Sequence, residues 1–303
     1  MQTYSGTSRI SVALFATVLT FVPLFCAQAA VVRRSKSDRD INAIGHRNII
    51  HGAERKFIVS PDREKQLGAQ FFAAWSSSKL ITNSSIKNYL SDLAQKIALK
   101  SDAPMPIAVV VIDDNAVKAC TSPGGYQYIT RGLLAHAESE GELAAVLAHG
   151  IAETALHLPT RQQFRGVLLG IVPTFPATVS ALACTSISSL TLTDRVLPSD
   201  EFDADYFALQ YLYQSGYDPQ CYLHFVEWIW PFGPGSKTLW SDLFPPTVER
   251  LKALRKEISE ILPQRAQMTA STLAFEEFQQ QLHNLPSPPS EPDKPVLLRP
   301  ALD

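Results

Sequence analysis

Apolar residues at Ile86, Tyr89, Leu90, Leu93, Ile97 and Leu99 fall at i, i+3, i+4 spacing and predict a helix from about Ser85 to Leu99. A helix before it starts at Pro61: Ser60 is placed to cap, Pro61 takes the first position, Glu64 falls in the first turns, and Leu67, Phe71 and Trp75 carry it on. Ile107 to Ile112 is instead an uninterrupted run rich in β-branched residues, which predicts a buried strand. Tyr126 to Thr130 is expected to be its partner across the Pro123-Gly124-Gly125 turn.

Ser139 and Glu142 form a Ser-x-x-Glu capping box that opens a further helix, and Pro159 is expected to stop it just after His157. Pro198 to about Ser215 reads as helical, closed by Gly216 with Pro219 beyond. Thr247 to Leu262 is amphipathic, and Thr272 to Leu282 is a shorter helix. The sum is an α+β fold, mostly helical, with a small sheet.

Outside this pattern lie several unusual stretches. Arg9, the uncharged run Ile10 to Phe25 and the small-x-small triplet Ala27-Gln28-Ala29 predict a cleaved signal peptide over residues 1–29, hence export to a periplasm. An uncleaved membrane anchor competes with this, because the uncharged run reaches Val32. An N-terminal arm is expected over 30–60, with the basic stretch Arg33 to Arg39 as surface or linker. The main domain follows over 61–283, and 284–303 is a Pro-rich tail. Gly166 to Thr193 carries no charge, but Pro173 and Pro176 argue for a buried or membrane-touching segment over a spanning helix.

Composition narrows the partners. With 46% hydrophobic and 18% charged residues over 303 positions there is material for a large core, and a net charge of -2 with pI near 6.4 offers nothing to a phosphate backbone. Nucleic acid is excluded as an expected partner. Once Cys26 leaves with the signal, Cys120, Cys184 and Cys221 allow at most one bridge plus a free thiol, and buried unpaired thiols are the expectation.

The chemistry concentrates in Glu142 to Arg161, ELAAVLAHGIAETALHLPTR. A His-Glu-x-x-His run places two imidazoles on one helix face to hold zinc, with the Glu as general base. Here the run is His149, Gly150, Ile151, Ala152, Glu153: the first ligand is present, the base position has no side chain, and the second ligand position holds a carboxylate. His149 and Glu153 still share a face. Two readings stand for Glu153: it joins a metal site, or it pairs with His157 four residues on or faces water. A mid-helix glycine also costs about 1 kcal/mol relative to Ala, so helix stability does not account for Gly150.

The chain resembles the HtpX-like, CAAX-prenyl-protease type family of zinc metalloendopeptidases from about Ile41 to Leu282. The resemblance is carried by INAIGHRN from Ile41, the Glu64 to Gly68 segment, SPGGYQYITRGLL from Ser122, the altered helix, EFDAD from Glu201, GYDP from Gly216 and FPPTVER from Phe244. It implies a zincin-like fold with the sheet beside the site helix, Glu201 as third ligand, and Asp205 orienting His149 from behind. It also implies that Gly124, Gly125 and Tyr126 border the groove where an extended peptide adds as a strand. Phe244 stands where the family commonly has His. The ligand set His149, Glu153 and Glu201 would move preference from zinc toward harder cations such as manganese. Two functions are then expected to compete: a catalytically impaired member that holds or escorts unfolded or exported polypeptides, and a zinc metalloendopeptidase with a non-standard site.

Overall fold

The computed structural model describes residues 36–52, 55, 58–73, 80–162, 198–229 and 248–286. The signal segment, the uncharged stretch from Gly166 to Thr193, Phe244 and most of the Pro-rich tail lie outside the described residues. Among those described, no helix is long and apolar enough to cross a membrane.

After a short helical turn at Lys36–Arg39 and a 3-10 turn at Ile41–Ala43, the longer helices α1 (Pro61–Ala73) and α2 (Ser84–Ala98) precede three strands, β1 (Ala108–Ile112), β2 (Ala119–Ser122) and β3 (Tyr126–Thr130). Then come α3 (Arg131–His136), α4 (Glu140–Ala155), α5 (Pro198–Gln214), α6 (Gln220–Ile229), α7 (Val248–Lys256) and α8 (Leu273–His283). The expected α+β, mostly helical architecture is the one observed. In the sheet the order is β1-β3-β2: β1 pairs β3 in parallel with Ala108 opposite Tyr126, and β2 pairs β3 antiparallel with Thr121 opposite Gln127. β1 and β3 are thus neighbours, but the strand joined to β3 across the Pro-Gly-Gly turn is β2. That strand, Ala-Cys-Thr-Ser, is too short and too polar to announce itself by pattern.

Alternation along the strands sorts the side chains by face. Cys120, Tyr128 and Ile112 pack with Phe71 on one side. Ile129 joins the main core on the other, which α2, α4, α5 and α6 share. α4 is buried over its whole length, so it lies inside the molecule and not on one wall of it. Its start is as expected, with Ser139 Oγ accepting from Glu142 N at 3.2 Å, while the Glu142 carboxylate accepts from Glu138 N at 2.8 Å. Its end differs: His157 takes a left-handed conformation, φ 53°, and the chain turns there before Pro159.

α1 lies across the Pro-Gly-Gly turn at contact distance. A Cβ on Gly68 would stand 2.2 Å from the Pro123 carbonyl oxygen and 2.9 Å from the Tyr126 ring, and Gly124, at φ 81°, has its own Cβ position 3.0 Å from the Glu64 carbonyl. The Glu64 to Gly68 segment is therefore a packing device. Gly68→Ala is expected to destabilise by about 1–3 kcal/mol in urea unfolding, because backbone must move to admit the methyl and this outweighs a propensity gain of about 1 kcal/mol. An unchanged or raised midpoint would refute this account of the glycine.

Between Asp38 and Arg47 the N-terminal segment is tied to the elements that follow it. Asp38 is buried, Arg47 pairs with Asp102 at 2.5 Å and donates to the Asp38 carbonyl and to Gln210, and Tyr211 donates to Asp102 at 2.8 Å. The partners of Arg47 lie on α5 and just after α2, too far along the chain for the local pattern to show them. The cysteines also differ from the expected unpaired thiols: Cys120 is disulfide-bonded, its partner lying outside the described residues, and only Cys221 is free among those described. Burial pushes the Cys221 thiol up to about 11, which makes it inert as a nucleophile.

Candidate metal centre

His149 and Glu153 on α4 face Glu201 and Asp205 on α5, each pair four residues apart and so on one face of its helix. His149, Glu153 and Glu201 each offer a ligand atom within 4.8 Å of the others, and all three are buried. His149 Nε2 lies 3.6 Å from Glu201 Oε2. Behind the imidazole, Nδ1 is 2.7 Å from the Tyr222 hydroxyl and 3.3 Å from Asp205 Oδ1. Tyr222 in turn donates to Asp205 at 2.6 Å. Arg250, from α7, grips Asp205 with two bonds of 2.8 and 2.7 Å and stands 3.7 Å from Glu201.

Glu153 neither faces water nor pairs with His157. It is 6% exposed and lines the same small cavity as Thr121 of β2. His157, carried off the helix by its left-handed turn, bonds Glu64 through Nδ1 at 2.7 Å, and Thr160 donates to the same Glu64 oxygen at 2.7 Å. The i, i+4 argument for a Glu153–His157 pair fails because the helix ends before the second residue.

The base position is filled from the sheet. A Cβ on Gly150 would lie 2.8 Å from both Cδ and Nε2 of Gln127 and 2.8 Å from Thr121 Oγ1. Gln127 is held there by donating from Nε2 to the Leu147 carbonyl of α4 at 3.2 Å. Gly150 is thus explained by close approach, which helix propensity could not explain. Between β2, β3 and α4 a small cavity of about 10 Å³, room for roughly one water molecule, is lined by Thr121, Gln127, Ile129, His149, Gly150 and Glu153 among others. Of the residues expected to border a groove, Gly124 packs on α1, a Cβ on Gly125 would lie 2.5 Å from the Pro106 carbonyl, and Tyr126 stacks on Phe72 at 5.8 Å. None of the three lines the cavity.

Charge decides whether a cation fits. Burial works against Asp205 ionising, but the Arg250 guanidinium overrides it and holds the carboxyl below its usual range. With Arg250 bonded to Asp205 and 3.7 Å from Glu201, the buried carboxylates of Glu153 and Glu201 face one imidazole. Burial raises Glu153, and burial with the like charges of Glu153 and Asp205 pushes Glu201 up to about 8 against the pull of Arg250 and His149. Burial opposes charge on His149 as well, yet the surrounding carboxylates raise it overall. Both Glu201 oxygens are buried with no hydrogen bond among the described residues. Two carboxylates and an imidazole in so dry a place are the donor set of a divalent cation, and these residues fit one.

Four of these contacts were not anticipated from sequence: Tyr222, Arg250, Gln127 and Thr121. Only Arg250 left a signal, since it lies with Leu254 and Glu257 on the buried side of its helix, and an arginine on such a face needs a partner.

Residues 81–258, more than half of the chain, match the profile of peptidase family M48. The chain belongs to that family. The M48 assignment agrees with the resemblance drawn from separated motifs. Among curated M48-like relatives, the putative beta-barrel assembly-enhancing protease of Vibrio cholerae is 28% identical over 172 residues, 52% of this chain and 36% of its own length. The beta-barrel assembly-enhancing proteases of Yersinia pestis and Escherichia coli K12 are each 24% identical over 191 residues, 58% of this chain and 39% of theirs. The chain spans well under half the length of these relatives.

Proposed function

We propose that this M48 chain is an exported polypeptide-binding member of the family that has lost efficient peptide cleavage. The observation that carries the reading is Gly150 with the Gln127 amide packed at its Cβ position. Hydrolysis at a bound cation needs a group that takes a proton from water beside it, and positioned acid-base groups contribute a factor of about 100 to 10,000 in rate. An amide pinned to a backbone carbonyl cannot take that proton. A cation held by His149, Glu153 and Glu201 would supply Lewis acidity, and would here also neutralise two buried carboxylates between α4 and α5. The additional carboxylate, relative to two imidazoles, moves preference toward harder ions such as manganese.

Binding of an extended chain is supported by β2, an edge of the sheet as ordered and adjacent to the cavity. Export is supported by the N-terminal signal pattern and by the disulfide at Cys120, since such bonds persist in oxidising compartments. The names of the relatives, which join proteolysis to β-barrel assembly, make exported polypeptides the natural class of client. A second reading, an active metalloendopeptidase with a non-standard site, is favoured by the intact convergence of His149, Glu153 and Glu201.

Unfolded casein separates them. The purified protein with zinc or manganese is expected to yield no fragments above background, and to bind labelled casein in fluorescence anisotropy. Chelator-sensitive fragments would establish the second reading, and absence of any binding would remove the first.

A further inference from the structure

We propose that Tyr222 is the positioning residue of the centre, its hydroxyl fixing the tautomer of His149 so that Nδ1 carries the hydrogen and Nε2 presents its lone pair toward Glu201. The inference rests on the cation reading above for its purpose, but its geometry stands separately. The Tyr222 hydroxyl has one proton, and that proton is committed to Asp205 Oδ1 at 2.6 Å. Asp205 cannot turn away, because Arg250 holds both of its oxygens at 2.8 and 2.7 Å. A hydroxyl that donates to a carboxylate can only accept from its other neighbour, so at 2.7 Å it requires His149 Nδ1 to carry hydrogen. Nε2 is then the nitrogen with the lone pair, and it is the one directed to Glu201, 3.6 Å away.

The opposite tautomer has its own attraction. With hydrogen on Nε2, the ring would donate to the carboxylates across from it and close the centre as a hydrogen-bonded cluster without a cation. Tyr222 opposes that collapse. Asp205 alone is a weaker lock, since it stands 3.3 Å from Nδ1 while the hydroxyl stands at 2.7 Å. Tyr222 is fully buried in the core, so Tyr222→Phe keeps the ring packing and removes only the lock. Loss of an outer hydrogen-bond partner of a ligating histidine lowers cation affinity by about 10- to 100-fold.

The test is long-range ¹H–¹⁵N NMR of the full chain labelled at histidine, metal-free and at a pH where the imidazole is neutral, followed by manganese titration by calorimetry. Wild type is expected to show His149 protonated at Nδ1. Tyr222→Phe is expected to shift the ring toward the Nε2-protonated form and to weaken manganese binding at least about tenfold, with its melting temperature reported beside it. Hydrogen on Nε2 in the wild type overturns the proposal whether or not the variant folds. An unchanged tautomer in Tyr222→Phe overturns it too. If the tautomer shifts but neither protein binds manganese or zinc, the positioning role holds and the cation reading is the one that fails.

Discussion

Replacing Arg250 by Met is expected to lower unfolding free energy by about 3–5 kcal/mol at neutral pH, the cost of leaving a buried carboxylate without its partner. Arg250 is 6% exposed, makes two hydrogen bonds to Asp205 and stands 3.7 Å from Glu201, so its removal strands negative charge that water cannot reach. Methionine fills the space without supplying charge. The effect has a defined pH dependence. The Asp205 carboxyl is held below its usual range in the folded protein, so its contribution is complete above an unfolded pKa of about 3.9 and is lost as pH falls through the folded value. In the variant the same carboxyl, buried and unpaired, has its pKa raised, and protonation relieves the penalty as pH falls. The gap between the two proteins is therefore widest near neutrality and narrows in acid. Urea unfolding at neutral and acid pH measures both. A neutral-pH difference below about 1 kcal/mol would place Arg250 among surface pairs and remove the charge argument for the centre. Adding Asp205→Asn to the variant is expected to recover part of the loss, since the two residues act as one unit.

What the sequence revealed of this centre follows the range over which its signals act. His149 with Glu153, and Glu201 with Asp205, are each four residues apart on a helix, and helical geometry alone places each pair on a face. That the two faces meet is not a local property; it was legible only because the motifs occur together in one family. Tyr222 and Gln127 left no trace, because their roles depend on how α6 lies against α5 and on which residue of β3 the strand register puts over α4. The same limit explains the sheet. Apolar runs identified β1 and β3, but a parallel pairing with β2 as the third strand is fixed by tertiary packing and not by the pattern of either run. The end of α4 shows a different limit. A proline two residues on suggested the stop, whereas the chain turns at His157, whose left-handed conformation comes with a buried bond to Glu64 from a distant helix.

The close approach at Gly150 changes what restoring the His-Glu-x-x-His run can achieve. Gly150→Glu with Glu153→His returns the missing residue types, and replacing the mid-helix glycine regains up to about 1 kcal/mol of helix propensity. The new Cβ, however, enters at 2.8 Å from the Gln127 amide and from Thr121 Oγ1. Both are side-chain ends and can yield, but Gln127 would give up its bond to the Leu147 carbonyl, and the displaced amide would remain in the space the new carboxylate needs. Adding Gln127→Ala clears that space, at a cost of about 1 kcal/mol for the lost bond. The triple variant is therefore expected to cleave casein with zinc, in a chelator-sensitive way, at least about 100-fold faster than the wild-type background, because a positioned base is restored where it can act. The double variant is expected to fall between them. Equal rates for double and triple variants would show that Gln127 is no obstacle. A triple variant that folds, binds zinc and stays silent would show that the proposed loss of cleavage does not rest on Gly150 and Glu153 alone, with Phe244, where the resembling enzymes commonly have His, as the next position to restore.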